Sequence, residues 1–383
     1  MKIAITTLAT CVAALLALGL VMLYSASMNM PDKVQVVKGA HLLMTQVVWC
    51  GLGCVACVMA ACLDYRLLKK WAWPIFILAL VMLVLVLIPH VGHRINGARR
   101  WFNFSGVGFQ PSEFAKLALI IMLAWYCERY QRQMHTWKRG IVFPGILIMV
   151  PLGLIFVEPD RGTTMLLAAV SGTMLLIAGV RWRYIIPPVV LGVAGLVFSF
   201  LHDPMRSKRI YSWLHLEESK DVIGYQVYQA TIALGSGGWF GVGLGNSRQK
   251  LGFVPEHHTD FILSIIGEEL GLVATLGVVI AFLLIVICGV YIATHARDTF
   301  GTMLASGITF LISLQAFINI GVVTNALPNK GLALPFISYG GSNLLAMLAC
   351  VGVLFSVARQ GRETEARSGN PFASDELPST QIT

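Results

Sequence analysis

Apolar runs of about 20 residues recur along almost the whole chain, and a run of that length can cross a bilayer as a helix. Lipid offers the backbone no hydrogen-bond partners, so a helix is the only open structure that satisfies its own N–H and C=O groups there. The pattern therefore predicts an all-α polytopic membrane protein with about ten transmembrane helices. The ten runs cover roughly residues 3–24, 42–62, 72–89, 113–127, 141–157, 163–180, 185–201, 261–293, 302–324 and 341–358.

Composition supports one membrane domain rather than a soluble fold with an anchor. Hydrophobic residues make up 56% of the 383 residues and charged residues only 12%, against about 25% charged in soluble domains. We expect the membrane domain to span residues 1–360. The polar tail, 361–383, is predicted to be disordered and cytoplasmic. The first run is longer than the apolar core of a signal peptide, which predicts an uncleaved first helix.

The formal net charge of +9 does not indicate nucleic-acid binding. The basic residues are scattered among the segments between helices, without the clustered stripe and interleaved aromatics of a nucleic-acid surface. Attraction to anionic or pyrophosphate-bearing lipids fits this distribution better.

The distribution of basic residues also predicts the orientation. With a cytoplasmic N-terminus, the inner segments hold 14 Lys and Arg residues and the short outer loops hold 7. Cytoplasmic loops are enriched in these residues, so N-in and C-in is favoured. The large segment 202–260, between the seventh and eighth helices, is then extracytoplasmic. Within it, we expect a surface or re-entrant helix at 225–234 and a flexible glycine-rich turn at 235–245.

The stretch 252–271 carries the strongest signal of a functional site. Asp260, Glu268 and Glu269 lie at the start of a long apolar helix, where carboxylates are costly and usually functional. Two interpretations stay open for Asp260, which is either a catalytic carboxylate or a helix N-cap. Ion pairing within the bundle is the alternative for the two glutamates.

Two further outer segments hold candidate site residues. Arg99, Arg100 and Trp101 form either an interfacial anchor or a diphosphate clamp, for which Arg is well suited. Glu113 and Lys116 are predicted to pair across one helical turn. The last outer loop contains two prolines and several glycines between 328 and 342, so its backbone cannot be a regular helix.

Two further features can be explained without a ligand. They are the polar side chains of the ninth apolar run and the glycine-rich segment. Gln315 and Asn319, four residues apart, are predicted to hydrogen-bond between helices. The segment 235–245 matches no phosphate-binding motif. Two interpretations remain open for this segment. It is either a plain connecting loop or a flexible backbone that comes close to a lipid headgroup.

Taken together, these motifs resemble the SEDS family (shape, elongation, division and sporulation) of peptidoglycan glycosyltransferases. The resemblance rests on 96–101, 110–116, 158–162, 241–250, 258–271 and 328–342, in that order along the chain. It extends from about Tyr24 to Arg359 and is nearer to the division branch than to the elongation branch. The two branches differ mainly around 245–250 and around Lys330.

The resemblance implies an inverting glycosyltransferase that polymerises lipid II into glycan strands at the septum. Asp260 then stands at the position of the essential carboxylate. The substrate-binding candidates are Lys330, Arg100, Trp101, Arg248, Lys250, Arg161 and Ser338. The supporting candidates are Glu113, Lys116, Glu268 and Glu269.

The resemblance also implies partners and a location. These are a class B penicillin-binding protein transpeptidase, other divisome membrane proteins, and the bacterial cytoplasmic membrane at the division septum. No protein metal site is expected, although a divalent cation bridged by the substrate diphosphate is compatible with this chemistry. The rival interpretations are a lipid II flippase, an elongation-type polymerase and a non-catalytic scaffold.

Overall fold

The computed structural model describes residues 1–28, 33–95, 98–104, 107–201, 204–218, 224–251 and 259–368. Thirteen α-helices and three short strands lie within these ranges. The helices are α1 Lys2–Met28, α2 Lys33–Cys62, α3 Arg66–Lys70, α4 Ala72–Leu87, α5 Pro111–Arg129, α6 Phe143–Val157, α7 Arg161–Ile177, α8 Trp182–Leu201, α9 Pro204–Leu214, α10 Tyr225–Ser236, α11 Ile262–Thr294, α12 Thr299–Val323 and α13 Gly341–Ser368.

All ten predicted spans lie on helices, namely α1, α2, α4 to α8 and α11 to α13. Six helical segments in the described ranges are long and apolar enough to cross a membrane, and α4 and α7 are shorter apolar helices. The mostly helical character is therefore confirmed, while the number of spans and their orientation stay predictions. Helix α13 continues to Ser368 and so includes the first residues of the predicted tail. The rest of that tail lies outside the described residues.

Helix α5 lies at the centre of the bundle. Five consecutive residues from Ile120 to Ala124 are almost inaccessible to solvent, so α5 is buried on every side, as expected for a helix without a polar face. It packs against α4, α6, α7, α12 and α13. Helix α12 in turn packs against α5, α7 and α11, and these helices carry the residues of the candidate site.

The loop between α4 and α5 corrects the all-α prediction. It contains a three-stranded antiparallel sheet in the order β1-β2-β3, formed by β1 His93–Ile95, β2 Ala98–Phe104 and β3 Val107–Phe109. The sequence Asn96-Gly97 between the first two strands is a strong hairpin signal. The pattern of apolar runs does not reveal the sheet, because its strands are much shorter than a membrane span.

Helix α11 is broken at Gly271, where φ is 78° and ψ is −172°. Essentially only glycine adopts this conformation. The break interrupts the helical hydrogen bonds, and the glycine-rich segment replaces them. Val242 N donates to Glu268 O at 2.9 Å, and Leu272 N donates to Gly238 O at 2.9 Å.

The glycine-rich segment therefore serves as a close-fitting insert against α11. A Cβ on Gly241 would lie 2.1 Å from Glu269 O, and one on Gly237 would lie 1.9 Å from Gly267 O. The predicted helix at 225–234 is confirmed as α10, which precedes this insert and packs on α11. The loop is thus attached to the helix that follows Asp260.

We predict that Gly271→Ala lowers the thermal unfolding midpoint of the detergent-solubilised protein. The added Cβ would lie 2.4 Å from Gly241 N at a positive φ, and such backbone strain costs about 1–3 kcal/mol. Gly277→Ala is the matched control on the same helix, since no atom lies within 4 Å of its added Cβ. Equal midpoints for the two variants would contradict the role given to Gly271.

Candidate active site

Asp260 lies in the turn immediately before α11. Its backbone carbonyl accepts a hydrogen bond from Asn319 Nδ2 at 2.8 Å. A Cβ on Gly331 would lie 3.0 Å from Asp260 Oδ2, so the carboxylate abuts the last outer loop. The N-cap of α11 is Phe261, and no side chain caps the helix. Asp260 is half-buried.

The loop after α12 brings Lys330 to the same region. Lys330 Nζ contacts Met165 Sδ on α7 at 3.3 Å. A Cβ on Gly162 would lie 3.3 Å from Leu332 Cγ, so the first turn of α7 and the segment 330–332 are neighbours. The structure thus brings together Asp260, the Lys330 segment and the start of α7.

Ser338 is buried within the same loop. Its hydroxyl accepts from Leu334 N at 2.8 Å, and its carbonyl accepts from Gln46 Nε2 at 3.3 Å. Phe336, between these residues, has a positive φ of 67°, which is uncommon for a bulky residue. We therefore expect Ser338 to act by holding the loop shape rather than by meeting a substrate.

Arg100 is attached to the α6–α7 turn. Its Nε donates to Glu158 O at 2.8 Å, and its Nη2 donates to Pro159 O at 2.7 Å. Trp101 lies in the same strand, with its ring 3.2 Å from the position of a Cβ on Gly108. The small sheet therefore fixes both residues relative to the start of α7.

The turn itself is stabilised by a buried aspartate. Asp160 caps α7, with Oδ1 accepting from Thr163 N at 3.1 Å and Oδ2 accepting from Thr163 Oγ1 at 3.0 Å. Arg161 stacks over the Phe156 ring, with 4.9 Å between the guanidinium carbon and the ring centroid. Such stacking orients the guanidinium group.

Glu158, on the same turn, is the most unusual carboxyl group of this region. Its side chain is fully buried, and neither carboxyl oxygen has a hydrogen-bond partner among the described residues. Burial raises the pKa of Glu158 to about 8, the Asp160 carboxylate adds to the rise, and Arg100 opposes it. The sequence motifs assign Glu158 no role, because the sequence of a five-residue turn does not show which of its side chains are buried.

Glu268 and Glu269 hold the segment that follows the glycine-rich insert. Lys250 Nζ pairs with Glu269 Oε1 at 2.9 Å, and Ser25 Oγ donates to Glu269 Oε2 at 2.6 Å. Glu268 accepts from Ser247 Oγ, and from Arg248 N at 2.9 Å. The ammonium of Lys250 also donates to the carbonyl of Gly245 at 2.8 Å.

This arrangement favours ion pairing for Glu269, one of the two interpretations left open by the sequence. Only 1% of the Lys250 side chain is exposed, so its charge is satisfied within the protein. Removing one partner of a buried pair leaves an uncompensated charge. Arg248, in contrast, is exposed.

A second buried pair lies in the bundle centre. Lys116 Nζ is 2.6 Å from Glu113 Oε2, as the three-residue spacing predicted, and it donates to Gln315 Oε1 at 3.0 Å. Gln315 Nε2 continues the network to Ala333 O at 2.9 Å. The pair therefore connects α5 through α12 to the loop that carries Lys330.

Gln315 binds loop backbone as well as neighbouring helices, whereas Asn319 binds backbone carbonyls of a turn and a loop. Asn319 Nδ2 donates to Leu332 O at 2.7 Å in addition to Asp260 O. Gln315 Nε2 also donates to Asn343 Oδ1 on α13 at 3.2 Å. Their i,i+4 spacing was the available signal, but the sequence could not identify carbonyls as their partners.

In the described part of the chain, no three His, Cys, Asp or Glu side chains lie close enough together to hold a metal ion. The motif residues at 252–258, Asn96 and Gly97 lie outside the described residues.

A family model described as cell cycle protein, FtsW/RodA/SpoVE, matches residues 6–363. The chain belongs to this family. The match covers the helical bundle and every candidate site residue, which confirms the resemblance inferred from the motifs.

Similar proteins in this family include members of different branches. The chain is 42% identical over 347 residues to a probable peptidoglycan glycosyltransferase FtsW of Trichlorobacter lovleyi, covering 91% of each chain. It is 38% identical over 348 residues to the stage V sporulation protein E of Bacillus subtilis, covering 91% of this chain and 95% of the other.

Solved structures of the family share the fold. A chain of a peptidoglycan synthase complex, described as coordinating polymerisation and crosslinking, superposes with a TM-score of 0.76 at 29% identity. That alignment covers 92% of this chain and 97% of the other. The rod shape determining protein RodA of Thermus thermophilus gives a TM-score of 0.68 at 30% identity, covering 92% and 96%.

We predict that Glu158 makes stability depend on pH. The pKa of its carboxyl is about 8 in the folded protein, whereas the ordinary value is 4.5. The stability contributed by protonated Glu158 is therefore complete below pH 4.5 and is lost as the pH rises to about 8. Glu158→Gln, a neutral isostere, should lose less stability over this interval, as measured by thermal midpoints in detergent.

Glu128→Gln is the control for this series, since Glu128 pairs with Lys69 in a partly exposed salt bridge. If the midpoints of wild type and Glu158→Gln fall in parallel between pH 5 and pH 8, Glu158 does not bind its proton as described.

Proposed function

We propose that this chain is a peptidoglycan glycosyltransferase of the division branch, polymerising lipid II into glycan strands for the septal cell wall. Its relatives named FtsW support the reaction class and the branch. The branch-specific residues 245–250 and Lys330 in the sequence agree with them.

The observation that carries the proposal is the placement of the Asp260 carboxylate against Gly331, next to Lys330. A lipid-linked sugar presents a hydroxyl to be deprotonated and a diphosphate to be released. One base and nearby positive charge meet both needs. Asp260 and Lys330 supply these groups from the ends of two adjacent helices, α11 and α12.

The reaction is proposed to proceed by direct displacement. Asp260 accepts the proton of the acceptor hydroxyl while that oxygen forms a bond to the anomeric carbon of the donor. The bond from this carbon to the diphosphate breaks on the opposite face, so the configuration inverts. Lys330 and Arg100 stabilise the charge of the departing polyprenyl diphosphate, for which the planar guanidinium is well suited.

The other candidate residues fall into two groups according to how exposed their side chains are. Trp101, Arg161 and Arg248 are proposed to contact the substrate, because they are exposed or half-buried near the outer ends of the helices. Lys250, Ser338, Glu113, Lys116, Glu268 and Glu269 are buried and hydrogen-bonded, so we assign them the support of the loops.

We predict that Asp260→Asn folds but makes almost no polymer from purified lipid II. General-base assistance is worth about 10²–10⁴-fold, and the amide keeps the shape while losing the ability to accept the proton. Lys330→Ala should also lose activity, through weaker stabilisation of the diphosphate. The measurement is the initial rate of glycan formation from labelled lipid II in detergent or liposomes.

Asp64→Asn is the matched control, because Asp64 is exposed and bonded to Arg66 N and Gln360, far along the chain from the candidate site. Polymerisation by Asp260→Asn within about threefold of wild type would refute general-base catalysis. Movement of lipid II across liposomes by wild type, without polymer, would instead identify a transporter.

We propose ten membrane spans with both termini in the cytoplasm, supported by the charge bias of the short loops and by the ten helical segments. Alkaline phosphatase, which is active only outside the cytoplasm, should be active when fused after Leu214 and inactive when fused after Arg362. Activity at the second position would reverse the assignment of inner and outer loops.

A class B penicillin-binding protein is the proposed partner, together with other divisome membrane proteins. A polymerase makes uncrosslinked strands, and a structural relative belongs to a complex that coordinates polymerisation with crosslinking. Co-expression with a single-span transpeptidase should give a complex that co-purifies in mild detergent. Consistent separation of two folded proteins would argue against this partnership.

A further inference from the structure

Asn319 connects the two segments that form the candidate site. Its side chain is buried on α12, and its single amide nitrogen donates to Asp260 O at 2.8 Å and to Leu332 O at 2.7 Å. A side-chain amide has two N–H donors, so both are used. One bond reaches the turn before α11, and the other reaches the loop after α12.

The Asp260 turn and the loop after α12 lie so close together that there is little room for either to move toward the other. Gly331 precedes Leu332, and a Cβ on Gly331 would already lie 3.0 Å from Asp260 Oδ2. A Cβ at this position would be closer to the carboxylate than ordinary van der Waals packing allows, so only glycine fits here without displacement. A small movement of the loop would therefore change the distance from the Asp260 carboxylate to both Gly331 and Lys330.

Gln315, one helical turn earlier, makes a related but different contact. Its Nε2 donates to Ala333 O at 2.9 Å and to Asn343, and its Oε1 accepts from Lys116. Gln315 therefore attaches the loop to α5, α12 and α13. Among the described hydrogen bonds of the two amides, those of Asn319 alone join the loop to the Asp260 turn.

The amide at 319 also has a cost. Asn319 Oδ1 is buried and has no hydrogen-bond partner among the described residues. Leaving a buried acceptor unsatisfied is unfavourable, and an apolar side chain of similar size would avoid it. In return, the amide holds two backbone carbonyls, those of Asp260 and Leu332, to one side chain of α12.

We propose that Asn319 is a positioning residue that holds the Asp260 carboxylate and the Lys330 segment at the separation required for glycosyl transfer. It acts through the two backbone carbonyls and does not contact substrate. This inference rests on the proposed function, because it assumes that Asp260 and Lys330 act on one substrate.

The test compares Asn319→Leu with wild type in steady-state polymerisation of lipid II. The variant removes both donors and the unsatisfied acceptor while keeping the number of side-chain heavy atoms and the branch at Cγ. We expect kcat to fall by about 10- to 100-fold, since small misplacement of reacting groups has effects of this size. The KM for lipid II should change by less than about threefold, because the substrate-contacting side chains remain.

Thr309→Val is the matched control on the same helix. Thr309 is buried and its hydroxyl donates only within α12, to Ala305 O at 2.7 Å. It should retain wild-type kcat. If Asn319→Leu does not give a monodisperse folded protein, Asn319→Ser takes its place, since serine is too short to reach both carbonyls.

A double-mutant comparison separates positioning from general loosening of the fold. Gly331→Ala alone should lower kcat by crowding Asp260. In the Asn319→Leu background the segment is already displaced, so Gly331→Ala should lower kcat by a clearly smaller factor. Such coupling is expected only for residues that share one contact. Independent, multiplicative losses would overturn the proposal.

The remaining outcomes are equally decisive. An Asn319→Leu kcat within about threefold of wild type, or a loss confined to KM, would exclude a positioning role. If wild type and Thr309→Val both fail to polymerise lipid II with their transpeptidase present, the proposed function itself fails, and the inference fails with it. Active wild type with normal Asn319→Leu rejects the inference alone.

Discussion

Backbone groups inside an apolar bundle have no water to bind, so every break in a helix must be filled by protein donors and acceptors. One helix break and one irregular loop shape the end of the molecule that holds the candidate site. At Gly271, the carbonyls and N–H groups released by α11 are bound by residues 238–243. After α12, the loop carbonyls of Leu332 and Ala333 are bound by side-chain amides from the same helix. The amide of Asn319 also binds Asp260 O, which keeps the Asp260 turn beside the loop segment that contains Gly331.

Buried charges reinforce this arrangement from within the bundle. Lys116 with Glu113, and Lys250 with Glu269, are almost inaccessible to solvent. Buried ion pairs add little net stability, because desolvation offsets most of the attraction. Their importance here is geometric, since each pair binds segments that are distant in sequence. Lys250 connects α1 with α11, while Lys116 connects α5 with α12.

The sequence motifs point to segments that meet in the structure, but they do not give the surroundings of each residue. Asp260 is a candidate because a carboxylate at the start of an apolar helix is costly and usually functional. Lys330 is a candidate through the family resemblance, which implies positive charge for the departing diphosphate. Lys250 and Ser338 were grouped with them as substrate contacts, yet both are buried and occupied by protein groups. The motifs give Gly331 and Asn319 no role in the site. Their proposed role is to set the distance between two loops, and a sequence motif does not show such a distance.

The sequence by itself determined the mostly helical class, the positions of the long apolar helices and the segments that carry the candidate chemistry. These properties follow from local quantities, namely run length, charge and the spacing of residue types. Only the tertiary structure decided that the glycine-rich segment fills a broken helix, that a short sheet holds Arg100, and that one amide joins Asp260 to Leu332. Such contacts join residues 50 or more positions apart in several cases, and no local pattern encodes which carbonyl a buried donor will meet.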